Sequence, residues 1–226
     1  MPPAEPSLPL QLRVAGRRCV VVGAGGVGER KIETLLEYGG AVDVISPEAT
    51  EAVRAWADEG RLTWQKRGYE DGDLEGAFLV ICATDDAELN RAVFDEGERR
   101  SIMANIVDVP ERCNFIVPAI VKRGPLQIAI STAGAAPVVA KTLRRKLEAE
   151  YGDEWGEYVA LLGRVRSLVM DRVPGGEPVR KPIFTALAHS DLFERVSAGE
   201  RPEAEDIYTE IVVPLLDSDG GEPADG

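Results

Sequence analysis

Short apolar runs alternate with amphipathic stretches through the first half of the chain, and that alternation predicts its elements. The run Arg18-Cys19-Val20-Val21-Val22 reads as a strand opening directly onto Gly23-Ala24-Gly25-Gly26-Val27-Gly28. Residues 27–38 carry Ile32, Leu35 and Leu36 on one helical face and end at Gly39-Gly40. Residues 41–45 form the next strand. Ser46-Pro47 then opens a helix to about Glu59, with Ala52, Val53 and Trp56 facing inward, followed by a short strand over 62–65 and the loop Asp71-Gly72-Asp73. Residues 77–83 are a continuous apolar run suited to a central parallel strand, Asp86 caps a helix over 87–100, and 102–107 is a further strand. This β–α alternation predicts a Rossmann-type, doubly wound parallel sheet, with ligands bound outside the carboxyl ends of its strands.

The pattern changes after Pro110. Residues 115–121 and 126–131 are two β-rich runs separated by Lys122-Arg123-Gly124-Pro125, which predicts an antiparallel pair. A helix starts near Pro137, with Val138, Val139, Thr142, Leu143 and Leu147 marking its inward side. From Trp155 the chain is helical again, over 158–172 and 183–198, broken by Pro174-Gly175-Gly176 and Pro178. Beyond Glu200 it is acidic, and its last ten or so residues are expected to be disordered. The expected fold class is therefore α/β: a Rossmann-type sheet over 1–113, a small α+β segment over 114–150, and a C-terminal helical region over 151–226.

Composition narrows the function. At 226 residues and 44% hydrophobic content, the chain can bury one substantial core and a smaller second one. No apolar run approaches the roughly 18 residues of a membrane span, and the first nine residues lack the basic start and apolar stretch of a signal peptide. A soluble, cytoplasmic protein with no membrane partner is expected. Cys19, Cys82 and Cys113 are scattered and lack a C-x-x-C spacing, so buried thiols are expected rather than disulfides or a zinc site.

The net charge of −13 is unevenly spread: residues 112–146 hold seven Lys and Arg and no Asp or Glu, leaving −20 for the rest. So acidic a body is unsuited to nucleic acid, whose binding depends on many phosphate contacts. The basic segment suits a compact polyanionic small molecule, or else it is a solvated helix face and a hairpin turn.

The chemistry begins at the glycines. Gly23 permits a tight turn, Gly25 lets a pyrophosphate approach the backbone, and Gly28 lets the helix pack against the strand. The other possibility is a Rossmann turn that no longer holds a nucleotide. Two loops at strand ends, Ala83-Thr84-Asp85-Asp86 and Asn105-Ile106-Val107-Asp108-Val109-Pro110, point at the same crevice. Thr84 and Asp85 are cofactor-side candidates and Asn105 a substrate-side one. Asp108 stands where a carboxylate could take a proton from a substrate lying against a nicotinamide, or where it could simply cap its loop. The end of the second strand, Val44-Ile45-Ser46-Pro47-Glu48, has no base to meet a 2′-phosphate, and this favours NAD over NADP. Ser131-Thr132-Ala133-Gly134 forms a second small-residue loop onto a helix. Its backbone N–H groups, backed by Lys141, Arg144 and Arg145, could hold a carboxylate, or the loop is a plain helix start. His189, the only histidine, cannot make a metal site alone.

Taken in order, Gly23-Ala24-Gly25-Gly26-Val27-Gly28-Glu29-Arg30-Lys31, Ala83-Thr84-Asp85-Asp86 with Leu89-Asn90, Asn105-Ile106-Val107-Asp108, Phe115-Ile116-Val117-Pro118-Ala119-Ile120-Val121 and Ile130-Ser131-Thr132-Ala133-Gly134 through Pro137 resemble the siroheme-synthase N-terminal module, or precorrin-2 dehydrogenase. The likeness covers residues 8–150. It implies NAD-dependent oxidation of precorrin-2 to sirohydrochlorin, on the way to siroheme or cobalamin, and gives the basic segment a polycarboxylate tetrapyrrole to bind. It makes Asp108 the match of the family's catalytic acidic residue, and it places Gly26, Val27, Pro47 and Glu48 at cofactor-contacting positions. It also implies a homodimer formed through residues 114–150, where Ser131, Thr132, Gly134, Lys141 and Arg144 would meet substrate.

Some members of the family also insert iron. This chain has no dedicated metal cluster, only Asp108 and His189 as candidates, and no metal ligand is assigned. Ala136 stands where the family commonly has Ser, which removes a helix cap worth about 1 kcal/mol, and Thr132 stands where Ser is frequent. The competing expectation is a non-catalytic, NAD-sensing Rossmann module. It has no use for Asp108 or for the acid-free basic segment. A dehydrogenase of small hydroxy substrates would want a Tyr-x-x-x-Lys or a His–carboxylate pair, and neither is present.

Overall fold

The computed structural model describes residues 7–219. They form two compact units that divide between Val117 and Pro118. The segment expected over 114–150 is thus shared, its first four residues lying with the sheet and the remainder with the C-terminal helices.

In the first unit, β1 (Arg18–Ala24), β2 (Ala41–Ala49), β3 (Thr63–Gln65), β4 (Leu79–Cys82) and β5 (Met103–Ile106) form one parallel sheet in the order β3-β2-β1-β4-β5. The strand order reverses beside β1, which puts the glycine turn at the carboxyl edge between β1 and β4. Side chains alternate across the sheet. Cys19 and Val21 join Ile32 and Leu35 of α1 (Gly26–Glu37) and Val53 of α2 (Glu51–Asp58) in one core, while Val20 and Val22 join Val93 of α3 (Ala87–Arg99) in the other. Burial on both faces is why these strands are continuous apolar runs.

One boundary differs from expectation. Ser46-Pro47 does not open α2 but lies within β2, which continues to Ala49. Ala49 pairs with Ala24 across an irregularity opposite Gly23, and Thr50 N–H donates to Ala24 O. Thr50 is the true N-cap, its hydroxyl accepting from Val53 N–H at 3.4 Å. Asp86 caps α3 as expected, accepting from Glu88 and Leu89 N–H.

The second unit starts with a hairpin, β6 (Ala119–Arg123) and β7 (Leu126–Ile130), joined through Gly124-Pro125. Next comes α4 (Pro137–Glu150), then α5 (Asp153–Arg172), whose Leu161, Val165 and Val169 centre a helical core with α6 (Glu177–Ala188) and α7 (Leu192–Ser197). Pro178 starts α6 rather than breaking it, and the helix expected over 183–198 is split at Ser190-Asp191. The described residues end in α8 (Ala204–Ile207), a π-turn over Tyr208–Val212, and α9 (Val213–Asp219). Of the tail expected to be disordered, residues 217–219 are therefore helical, while 220–226 lie outside the described residues, as do residues 1–6 of the leader stretch.

The face of α4 expected to point inward does not. Val138, Val139 and Leu143 are 76%, 49% and 41% exposed, and Ala140 is the helix's buried residue. Among the described residues no helix is long and apolar enough to cross a membrane.

Candidate active site

The turn after β1 is built by contacts that tolerate nothing larger than glycine. Gly23 has φ +93°, and a Cβ there would lie 2.5 Å from Ala83 O. A Cβ on Gly28 would lie 2.1 Å from Gly23 O, so the first turn of α1 sits directly on the loop. Gly25 and Gly26 differ: a Cβ on either would meet no protein atom within 4 Å. No side chain caps α1. Its first backbone N–H groups, which have no partner inside a helix, therefore face an open cradle at the positive end of the dipole. A dinucleotide pyrophosphate fits that cradle in charge and in space. Val27 continues the rim, 38% exposed.

Thr84 closes the β4 side. Its hydroxyl donates to Asn90 Oδ1 at 2.8 Å and its carbonyl accepts from Asn90 Nδ2, while the Cys82 thiol donates to the same Oδ1. Asn90 is buried and pins the loop to α3. Asp85 next to it is exposed. On the β2 side the extended strand carries Pro47 and Glu48, both exposed, past the irregularity opposite Gly23. Glu48 thus occupies the strand-end position at which a carboxylate meets a ribose hydroxyl. Asp43 is committed elsewhere, 2.7 Å from Arg18 Nε.

Asn105 is buried, and its amide is used structurally: Nδ2 donates to Phe115 O at 2.9 Å and holds residues 113–115 against β5. Asp108 follows at the exit of β5, exposed, with φ +62°. It closes a cleft of about 420 Å³ whose other walls are Val107 and one face of α1: Val27, Arg30, Lys31 and Thr34. Burial holds the half-buried Lys31 ammonium below the usual lysine range and neighbouring Arg30 adds to this, while Asp108 and Cys113 pull the other way. Arg30 and Lys31 were not among the sequence candidates. Their signal was the i, i+3, i+4, i+7 spacing from Val27, which sets all four side chains on one side of α1.

The five remaining candidates lie in the second unit. Ser131 Oγ accepts from Ala133 N–H, and Thr132 accepts from Ala135 N–H through its carbonyl and from Ala136 N–H through its hydroxyl. Those amides are thereby spent within the loop, and anion binding there would rest on Gly134, the first turn of α4 and Lys141. Ala133 and Gly134 both adopt the left-handed region, with φ +48° and +79°. α4 lacks a side-chain cap, as Ala136 implies. Arg144 is paired with Glu148 at 3.0 Å, while Lys141 is exposed. His189 caps the C-terminus of α6, with Nδ1 2.8 Å from Thr185 O. Among the described residues no group of three or more His, Cys, Asp or Glu could hold a metal ion.

A parallel sheet with this strand order, a glycine turn opening onto an uncapped helix and an open cradle beside it define an α/β dinucleotide-binding protein. Residues 10–119 match the family described as "Putative NAD(P)-binding", and residues 123–150 match the family described as "Sirohaem biosynthesis protein central". The siroheme synthase of Nitrosococcus oceani is 36% identical over 198 residues, 88% of this chain and 42% of that protein. That of Pseudomonas entomophila is 39% identical over 215 residues, 95% of this chain and 46% of that protein. The chain is similar to siroheme synthases along most of its own length and spans less than half the length of these curated relatives. Among solved structures, "SirC, precorrin-2 dehydrogenase" shares the fold, with a TM-score of 0.74 at 24% identity over 91% of this chain and 98% of that one.

Proposed function

We propose that the protein is an NAD-dependent precorrin-2 dehydrogenase, oxidising precorrin-2 to sirohydrochlorin in siroheme or cobalamin formation. The observation that carries this reading is the exposed Asp108 carboxylate, which closes a cleft whose opposite wall starts at Val27 on the rim of the dinucleotide cradle. Bound NAD supplies the hydride acceptor. Asp108 then takes the proton that the tetrapyrrole releases as it loses hydride. A left-handed backbone is uncommon for a non-glycine residue, and Asp108 adopts it where it lines the cleft. Glu48 at the end of β2 favours NAD, because a carboxylate there accepts from a ribose hydroxyl and repels a 2′-phosphate. A module that only sensed NAD would leave Asp108, Arg30 and Lys31 without a use.

The relatives' name supports a tetrapyrrole as substrate, and the seven cations of residues 112–146, a segment without Asp or Glu, suit its carboxylates. A homodimer is part of the proposal. The exposed Val138, Val139 and Leu143 face of α4 suits a second copy of this chain. The three free cysteines, Cys19, Cys82 and Cys113, suit the reducing cytoplasm.

Asp108→Asn tests the chemistry, because Asn tolerates the same left-handed backbone and removes only the proton acceptor. Turnover is expected to fall by about 100-fold or more, with NAD affinity within about twofold of wild type. Undiminished turnover in Asp108→Asn or Asp108→Ala would exclude the role.

A further inference from the structure

The cleft between α1 and the β5 exit holds more charge than the proton transfer needs. Among the described residues Arg30, Lys31 and Asp108 make no hydrogen bond or ion pair through their side chains, although all three line one cleft. Lys31 is half-buried and has Arg30 as a like-charged neighbour. A partly desolvated ammonium without a bound anion is an incomplete arrangement, and an incoming carboxylate completes it. The two cations outnumber the single carboxylate, so the cleft prefers an anion. At about 420 Å³ it is at the small end of ligand pockets, with room for one arm of a large substrate and not for a macrocycle.

Its direction points to substrate rather than cofactor. The wall runs from Val27, next to the cradle, along α1 to Thr34, and the β2 edge with Glu48 lies on the other side of β1. Thr34 has its hydroxyl turned to Arg30 O at 2.9 Å, which leaves the two cations as the strong donors.

We propose that Lys31, assisted by Arg30, is the anchor for one carboxylate arm of the substrate and sets the reacting carbon against Asp108. This rests on the dehydrogenase reading and names binding residues for it. Lys31 does not touch the reacting atoms, so it is a positioning residue.

The test compares wild type with Lys31→Met and Lys31→Arg in the full chain. Three quantities are read: KM and kcat for precorrin-2, Kd for NAD, and Kd for sirohydrochlorin measured without NAD by quenching of tryptophan fluorescence. Lys31→Met is expected to raise both KM for precorrin-2 and Kd for sirohydrochlorin about tenfold or more. Lys31→Arg recovers most of that loss, and NAD affinity, which also reports an intact fold, stays within about twofold. The proposal is overturned if tetrapyrrole affinity is unchanged in Lys31→Met, if the loss falls on kcat alone, or if NAD affinity weakens by the same factor, which would give the cations to a cofactor phosphate. If wild type binds sirohydrochlorin but turns over no precorrin-2, the dehydrogenase reading fails by itself, and the sirohydrochlorin arm still decides the anchor.

Discussion

Four glycines in one turn do different jobs, and substitution separates them. Gly28→Ala drives a methyl into Gly23 O and is expected to cost about 3 kcal/mol or more, because the clash is with backbone that cannot move aside. Gly25→Ala meets no protein atom and has φ −75°, so stability should stay within about 0.5 kcal/mol while NAD affinity collapses. Denaturant unfolding and NAD titration of the two variants check this: equal stability losses would mean that the cradle is not open, and retained NAD affinity in Gly25→Ala would mean that no pyrophosphate lies there. The glycine spacing was legible in sequence because each position answers a steric demand. Lys31 was not, because its importance comes from facing Asp108, a residue more than seventy positions away. Asn105 was legible as a strand-end, substrate-side candidate, but its amide donates to Phe115 O, and no local pattern records that partner.

Two buried thiols also make a residue-scale prediction. Burial pushes Cys19 up to about 11 and Cys82 up to about 12. The folded chain keeps these protons after the unfolded chain has lost them, so the contribution is complete below the ordinary thiol pKa of about 8.5 and is lost as pH rises toward 11–12. Each thiol should remove about 1 kcal/mol per pH unit over that window, and Cys19→Ala should flatten the fall. Guanidinium midpoints between pH 8 and 10.5 measure it; a wild-type profile that stays level would refute the burial of these groups.

Among the elements, caps and buried apolar runs were the most readable. Asp86 before α3 and the run ending in β4 combine local propensity with burial on both faces. The start of α2 was misread because Ser46-Pro47 is a good helix opening taken alone, whereas pairing with β1 draws the chain on as strand to Ala49. That extension matters, since it makes Glu48 a strand-end residue. Sequence pattern also says little of the loop over residues 69–74, which is held by a side chain from α3. The fully buried Glu96 carboxylate accepts from the Tyr69 hydroxyl, from Gly72 and Leu74 N–H at 3.0 and 3.3 Å, and from Arg100 Nε at 2.7 Å. Glu96→Gln replaces an acceptor by a donor among donors and should cost about 2–3 kcal/mol, measured by equilibrium unfolding. A loss within 0.5 kcal/mol would show that the loop does not depend on it.

For the whole molecule, charge and apolar surface are the informative quantities. The cations of residues 112–146 stand out in a chain of net charge −13 because nothing in their segment neutralises them. The apolar face of α4 was legible as a stripe, but its destination was not: within one chain it remains exposed, since periodicity marks an apolar side without saying what covers it. If a second copy covers it, Val138→Asp should convert dimer to monomer in sedimentation equilibrium, and a wild-type monomer at micromolar concentration would dismiss the dimer. Central to all of this is the proposal that NAD and a tetrapyrrole meet in the crevice at Asp108. The most direct measurement incubates the purified protein anaerobically with precorrin-2 and NAD and follows both products by absorbance. Sirohydrochlorin and NADH should appear in equal amounts; NAD bound tightly with no conversion of precorrin-2 would contradict the assignment.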